Sequence, residues 1–388
     1  VRRREHEGRD AAPPPPDEKT QALIERIQQR LADFVPQPAC ASLASIAYVE
    51  VTLDANAEPG EREIRLITPR GVSNPLVFVV GQVPEVARKA MLPASIPTLG
   101  KEEAALRKRP DDDGEQVLTL PCTANGQVAS GEVNKYRFEA KKGQKLVLTT
   151  KARRLVPYIA DAVPGWFQPV IAVYDANGKE LAYDDDYRFN PDPTLLFVVP
   201  HDGEYVFTIT DAIYRGREDF VYRVTIGELP FVTSIFPLGA QAGKQGKVTM
   251  TGWNLDGGEI APPPKDAPAG THLVTARRGG MVSNAVPFAI DTLPDARDAE
   301  PNNDQAAAQK VELPVIVNGR MNRPGDRDLF QFTGKAGETI VAEVEARRLD
   351  SPLDSVLTLS DASGKVLAIN DDREDPGSGL NTHHADSY

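Results

Sequence analysis

Apolar residues after the first forty or so positions come in short runs bounded by Gly, Pro, Asn or Asp, at 46–53, 63–68, 76–80, 145–150, 170–174, 195–199, 205–210 and 220–226. These runs are rich in β-branched and aromatic residues, which predicts strands closed by turns. One segment departs from this pattern. Within 20–34, Leu23, Ile24, Ile27, Leu31 and Phe34 recur at helical spacing between polar neighbours and predict a single amphipathic helix over 20–35. Residues 1–19, with consecutive prolines at 13–16, offer no apolar face to bury and read as a disordered linker. The predicted class is mainly β, with one N-terminal helix.

Internal repetition organises the rest. Residues 120–126 (LPCTANG) correspond to 313–319 (LPVIVNG), and 131–138 (GEVNKYRF) to 325–332 (GDRDLFQF). The match continues through 152–155 and 346–349 (both ARRL) to 175–182 (DANGKELA) and 361–368 (DASGKVLA), the first copy carrying an insertion at 156–165. A second repeat pairs Val72-Ser73-Asn74 with Val282-Ser283-Asn284, each followed by an apolar strand and then Pro84-Glu85 or Pro294-Asp295. The chain therefore reads as two kinds of module in alternation. The second long copy ends sixteen residues after Asp372, whereas about forty follow Asp186 in the first. It should lack its last strands and expose part of its core, so the 388 residues read as a fragment of something longer.

Composition narrows the function classes. A formal charge of −12 makes a nucleic acid or an anionic lipid an unsuitable partner, and no apolar run is long enough for a transmembrane segment. Two cysteines, Cys40 and Cys122, supply neither a disulfide framework nor a Cys-based zinc site. None of the five histidines, His6, His201, His272, His383 and His384, lies in a His-Glu-x-x-His helix, and neither a Gly-x-Ser-x-Gly elbow nor a Walker A loop is present. Ser387 and Asp386 lie beside His383 and His384 in sequence, but adjacency does not build a catalytic triad. Cys122 aligns with Val315 and reads as a buried thiol. The expectation is a chain that is not an enzyme.

The second long copy combines Glu300-Pro301-Asn302-Asn303, Gly325-Asp326-Arg327-Asp328, Phe330, Phe332, Lys335-Ala336-Gly337 and Asn370-Asp371-Asp372. In this combination it resembles the bacterial pre-peptidase C-terminal (PPC) domain, a small jelly-roll antiparallel β-sandwich. The short modules, with 231–237 (FVTSIFP), 248–255 (VTMTGWNL) and Val282-Ser283-Asn284, resemble IPT/TIG immunoglobulin-like modules; the first shows only the later half of that pattern. The resemblance implies tandem antiparallel β-sandwiches: a partial Ig-like module at 45–86, a PPC-like sandwich at 116–228, an Ig-like module at 230–292 and a truncated PPC-like sandwich at 298–388. It further implies a non-catalytic binding or spacer region of a secreted or envelope-associated bacterial protein, with an extracellular protein or polysaccharide as ligand. An alternative is the flanking part of a secreted peptidase or other hydrolase whose catalytic domain lies elsewhere.

Two constellations are candidates for chemistry. Asp298, Glu300, Asn302, Asn303, Asp326 and Asp328 offer hard oxygen ligands of the kind calcium takes, from two segments, and the alternation of 298, 300 and 302 points one face of an extended strand at an ion. The PPC resemblance implies a calcium at the same linker-to-loop junction. The competing reading is a solvated acidic linker in which Asn303 or Asp304 caps a short helix near Gln305. In the first copy the corresponding residues are Glu132 and Asn134, with one charge fewer, and Asp111 to Asp113 read as an acidic loop or a substitute. Aromatic residues in and near the insertion, Tyr158, Trp166, Phe167, Tyr183 and Tyr187, read either as a ligand-binding surface or as closure of the sandwich core. Asp184, Asp185 and Asp186 recur as Asn370, Asp371 and Asp372, so they read as a shared turn and not as an acid/base pair.

Overall fold

The computed structural model describes residues 17–32, 49–90, 114–156, 167–188, 190–244, 246–372 and 386–388. Among these, one long helix is present, α1 (Glu18–Ala32). Asp17 caps it, its Oδ1 accepting the Thr20 N–H at 2.8 Å. Among the described residues, the other elements are strands and turns apart from one short 3-10 helix at Arg347–Leu349.

In the first short unit β1 (Gly60–Ile64) pairs antiparallel with β4 (Leu76–Val80), enclosing the ribbon of β2 (Ile67–Thr68) and β3 (Gly71–Val72). The expected strand at 63–68 is thus divided between β1 and β2. The described part of the expected strand at 46–53 forms none. Val49, Val51 and Leu53 there are 65%, 44% and 48% exposed, and no neighbouring strand takes up their backbone groups. Alternation without a pairing partner does not make a strand.

The first complete sandwich contains β5 (Glu85–Ala87), β6 (Gln116–Leu118), β7 (Cys122–Gln127), β8 (Asn134–Ala140), β9 (Lys145–Lys151), β10 (Pro169–Asp175), β11 (Glu180–Asp184), β12 (Thr194–Val198), β13 (Gly203–Asp211) and β14 (Val221–Gly227). They form two five-stranded sheets, ordered β11-β10-β13-β8-β6 and β12-β9-β14-β7-β5. Alternate residues of β8, from Asn134 through Tyr136 and Phe138 to Ala140, face inward. They meet Leu146, Leu148, Val224 and Ile226 of the opposite sheet in one buried core. Burying each such side chain contributes roughly 1.5–3 kcal/mol. The core also holds a polar pair, Tyr136 and Tyr222, whose hydroxyls lie 2.6 Å apart. Gly126 makes room for it, since a Cβ there would stand 2.4 Å from the Tyr222 hydroxyl.

The next unit sets the pair β15 (Phe231–Phe236) and β17 (Thr249–Trp253) against a four-stranded sheet of β16 (Gly239–Gln241), β18 (Glu259–Ile260), β19 (Gly270–Arg278) and β20 (Met281–Asp291), ordered β16-β20-β19-β18. Val232, Ile235, Val274, Val286 and Phe288 fill it. The repeated Val-Ser-Asn has a physical basis. Ser73 Oγ accepts the Leu66 N–H at 2.9 Å and donates to the Asn74 carbonyl, while Ser283 Oγ accepts the Ala276 N–H at 2.9 Å and donates to the Asn284 carbonyl. Asn284 also exchanges two bonds with the Val232 backbone, at 2.7 and 3.0 Å.

The last unit carries β21 (Asp295–Arg297), β22 (Gln309–Lys310), β23 (Ile316–Asn318), β24 (Phe330–Gln331), β25 (Leu357–Ser360) and β26 (Val366–Asn370). Its start repeats several bonds of the first sandwich. β5 adds parallel to β7 and β21 parallel to β23, with Thr123 N donating to Pro84 O and Ile316 N to Pro294 O, each at 2.8 Å. The turn Asp175 and its equivalent Asp361 accept the same two N–H groups, from Asn177 and Lys179 and from Ser363 and Lys365. Residues 339–345 join no strand, however, and Ile340, the counterpart of the buried Leu146, is 41% exposed.

The two repeated ARRL segments share a cap that the sequence reading missed. Asp192, buried, accepts the N–H groups of Ala152, Arg153 and Arg154 at 3.1, 2.8 and 2.9 Å. Asp386, fully buried, does the same for Ala346, Arg347 and Arg348 at 2.9, 2.6 and 3.2 Å. Burial opposes the Asp386 charge, but these donors and the Arg348 guanidinium hold its pKa below the ordinary value. Likewise the first residue of each acidic turn accepts an N–H: Asp184 from Thr194 at 3.0 Å, and Asn370 from Tyr388 at 2.7 Å.

Between units, Val147, Leu229 and Phe231 are buried together with Val83, Tyr187, Leu196, Trp253 and Met281 around them. Polar bonds line this seam. The Gln82 amide donates to Val282 O at 2.7 Å and accepts from Val282 N at 2.8 Å, and Asn254 Nδ2 donates to Lys145 O at 2.9 Å and Leu229 O at 3.0 Å. Arg188 donates to the carbonyls of Thr233 and Asp350, so one guanidinium touches two further units.

Replacing Asp192 by Ala leaves three N–H groups without their acceptor, and chemical denaturation should show a loss of roughly 3 kcal/mol, with Asp192→Asn losing less. Asp184 gives a pH test. Burial first, then the neighbouring Asp186 and Asp185 charges, push its pKa up to about 6. The folded chain therefore holds a proton that the unfolded chain releases near pH 4, and the stability from this group falls as pH rises from about 4 to about 6. Asp184→Asn, matching the Asn370 of the other copy, keeps an acceptor for Thr194. It should raise the melting temperature at pH 7.5 and leave it unchanged at pH 4; an equal shift at both pH values would contradict this origin.

Candidate metal centre

The parallel docking of β21 brings the segment after it across the start of the loop between β23 and β24. Asp298 N donates to Asn318 O at 2.9 Å, which fixes Asp298 beside Gly319. The chain then turns so that Leu329 N bonds to Asn302 O, also at 2.9 Å, and the 298–303 segment is tied to the segment that runs through Asp328 into β24. Carboxylate oxygens of Asp298, Glu300 and Asp328 consequently lie within 4.8 Å of one another. These three come from the two segments that the sequence pattern singles out.

Hydrogen bonds orient Glu300, Asp298 and the neighbouring Asp326. Glu300 Oε2 accepts from Asn302 N and from Asn303 Nδ2, each at 3.1 Å, and its Oε1 accepts from Asn322 Nδ2 at 3.0 Å. Asp298 Oδ1 accepts from Asn302 Nδ2 at 2.6 Å, and Asp326 Oδ2 from Asn322 N at 2.6 Å. Asn303 spends its Oδ1 on the Arg327 N–H at 3.2 Å, so in this arrangement it positions Glu300 and the loop. Asn322 is the member that sequence reading missed; it lies outside the repeated motifs, and only the folded loop brings it to Glu300.

Burial and charge leave this cluster one requirement short. Asn302 is 0% exposed and its Oδ1 has no hydrogen-bond donor; the buried Asp328 Oδ1 lacks one too. The Asp326 side chain is 1% exposed, with Arg323 Nε 3.8 Å from its Oδ1. Burial, then the charges of Asp298, Asp326 and Glu300, push the Asp328 pKa up to about 6. Three converging carboxylates with a fourth, Asp326, nearby and orphaned acceptors among them are the environment that a bound cation relieves. Gly319 completes the cradle: a Cβ there would sit 3.2 Å from Asp328 Oδ2 and 3.3 Å from Asp298 Cβ. The donor set is all oxygen, which suits a hard cation and neither zinc nor copper. Asp304, expected as a helix cap, instead accepts the N–H groups of Ala306 and Ala307 in a turn, and no helix follows.

A second acidic group, Asp184, Asp185 and Asp186, also brings its carboxylates within 4.8 Å. Its bonds are those of a turn: Asp184 holds Thr194, and Asp185 accepts the Tyr183 hydroxyl at 3.2 Å. The described aromatic candidates, Phe167, Tyr183 and Tyr187, do not share one face. Phe167 is 6% exposed and stacks on Phe220 in the core of the first sandwich, at a ring distance of 5.1 Å. Tyr187 meets Phe231 edge-on at 5.5 Å within the seam between units, whereas Tyr183 is 51% exposed. Tyr158, Trp166 and Asp111 to Asp113 lie outside the described residues. Cys122 is 2% exposed, and burial pushes its thiol pKa up, away from nucleophilic character.

No family model matches the chain. A probable subtilase-type serine protease of Deinococcus radiodurans is 29% identical over 289 residues, which are 71% of this chain and 35% of that protein. The chain thus spans about a third of that relative's length. Among solved structures, the pre-peptidase C-terminal domain of a collagenase from Bacillus anthracis is matched over its whole length and 31% of this chain, with 12% identity and a TM-score of 0.23. A periplasmic lysozyme inhibitor from Aeromonas hydrophila is matched over 96% of its length and 29% of this chain, with 11% identity and a TM-score of 0.21.

Proposed function

We propose that these residues are a non-catalytic accessory region of a secreted or envelope-associated protein, in which modular β-sandwiches carry or space other domains and a calcium ion fixes the entry to the last of them. The observation that carries this reading is the convergence of Asp298, Glu300 and Asp328 on the buried Asn302, where the segment after β21 enters its sandwich. Asp298, Glu300, Asp326, Asp328 and the Asn302 amide oxygen would hold the ion, and Asn303 and Asn322 would orient them. Bound there, calcium supplies positive charge and cross-links the linker to the loop; it performs no bond-making. The partial likeness to a probable subtilase-type protease supports a peptidase as the larger protein, with the matched region as its accessory part. An extracellular protein or polysaccharide is the corresponding ligand class, and Tyr183 is the aromatic side chain open to it.

Isothermal titration and thermal melting test this directly. Calcium should bind the full chain with a dissociation constant of roughly 10⁻⁴ M or tighter, raise its melting temperature, and lose at least about tenfold in affinity on Asp298→Ala or Asp328→Ala. Absence of both heat and a melting shift at millimolar calcium would end the proposal. The peptidase context has its own test: secretion and peptidase assay of the complete gene product, where an inactive, retained protein would count against it.

A further inference from the structure

The first sandwich has the same junction and answers its charge differently. Arg88 N donates to Asn125 O at 2.9 Å just as Asp298 N donates to Asn318 O, and the parallel registers Ala87 with Asn125 and Arg297 with Asn318 make Arg88 the positional counterpart of Asp298. The counterpart of Asp328 is Asn134. Arg88 is 7% exposed. Its guanidinium donates to Gly114 O at 2.5 Å and to Lys135 O at 3.3 Å, and lies 5.1 Å from the centre of the Tyr136 ring. It therefore bridges the segment entering β6 and the strand bearing Asn134. In the last unit the Asn302 to Leu329 bond links the corresponding segments beside the acidic cluster.

We infer that Arg88 is a built-in cation: its guanidinium does in the first sandwich what a bound metal ion does in the last, so the linker at 84–88 is clamped permanently and only the linker at 294–302 responds to calcium. The physical logic is charge replacement. A site with Asp at 298 and 328 needs an external cation. A site with Arg and Asn at those positions carries its own charge, directed at backbone carbonyls and an aromatic face. Glu132, the counterpart of Asp326, accepts the Ala129 N–H at 2.7 Å, and no described carboxylate stands where Asp298 and Asp328 do. A guanidinium is never deprotonated at ordinary pH and cannot be removed by a chelator. The contrast between the linkers rests on the calcium reading of the 298–328 cluster; the clamp at Arg88 does not.

Hydrogen exchange of the full chain, in calcium and in chelator, separates the two. In the unsubstituted chain, protection at 84–88 should be the same in both buffers, while protection at 294–302 falls in chelator. Arg88→Met, which keeps the stem and removes the charge, should speed exchange at 84–88 at least about tenfold in both buffers, with Arg88→Lys in between. Calcium-dependent protection at 84–88 in the unsubstituted chain, or exchange of Arg88→Met at the original rate, would overturn the inference. Should the Met variant fail to fold, Arg88→Lys decides: exchange insensitive to calcium and slower than about tenfold above the original supports it, and faster exchange refutes it. If 294–302 ignores calcium while 84–88 behaves as described, the calcium reading fails and the arginine clamp stands. In Arg88→Asp/Asn134→Asp, titration should show one more calcium site than in the unsubstituted chain; an unchanged stoichiometry counts against charge replacement.

Discussion

A three-residue strand laid parallel to the edge of a sheet governs the chemistry of this molecule. β5 in one sandwich and β21 in the other are too short to be stable alone, yet each is held at both ends by bonds to one neighbouring strand, from Pro84 to Arg88 and from Pro294 to Asp298. Because a strand's side chains alternate, that lock dictates which residue reaches the mouth of the sandwich and which way it points. The residue is an arginine in one copy and an aspartate in the other. One backbone arrangement thus supports two opposite electrostatic solutions.

Glycine shows the same economy. The repeated Asn-Gly at 125–126 and 318–319 keeps its glycine for different reasons in the two copies: Gly126 clears the Tyr222 hydroxyl, and Gly319 clears the carboxylates of Asp298 and Asp328. A duplicated motif need not have a duplicated role. The buried aspartates at 192 and 386 make the opposite point, for both serve the backbone of an Ala-Arg-Arg turn with the same three bonds.

Much of this was legible from the chain alone. Short apolar runs matched five of the ten strands of the first sandwich, β9, β10, β12, β13 and β14, to within two residues, whereas β5 to β8 and β11, with fewer consecutive apolar residues, were not marked. The run at 46–53 misled, since Val49, Val51 and Leu53 have the right spacing but no neighbour to pair with. The residues of the acidic cluster were readable because two converging motifs each carried carboxylates. Asn322 was not, because its approach to Glu300 depends on the path of a loop. Arg88 was hidden for a related reason: nothing in its sequence neighbourhood marks it as the partner of Asp298 until the registers of β7 and β23 align the two linkers. Of the aromatic residues grouped in sequence, Phe167 is drawn into a core and Tyr187 into a seam, which only the paths of their strands decide.

Beside ion pairs such as Lys151–Glu61 and Arg188–Asp350, contacts between units use uncharged amides. Gln82 presents its carboxamide to Val282 as a peptide group would, and Asn254 reaches two carbonyls of the preceding sandwich. Neutral donors and acceptors neither titrate nor gather a counter-ion atmosphere. These particular contacts between neighbouring units should accordingly keep their strength from dilute to saline surroundings and from acidic to alkaline ones, leaving ionic conditions to act on the molecule through its charged contacts.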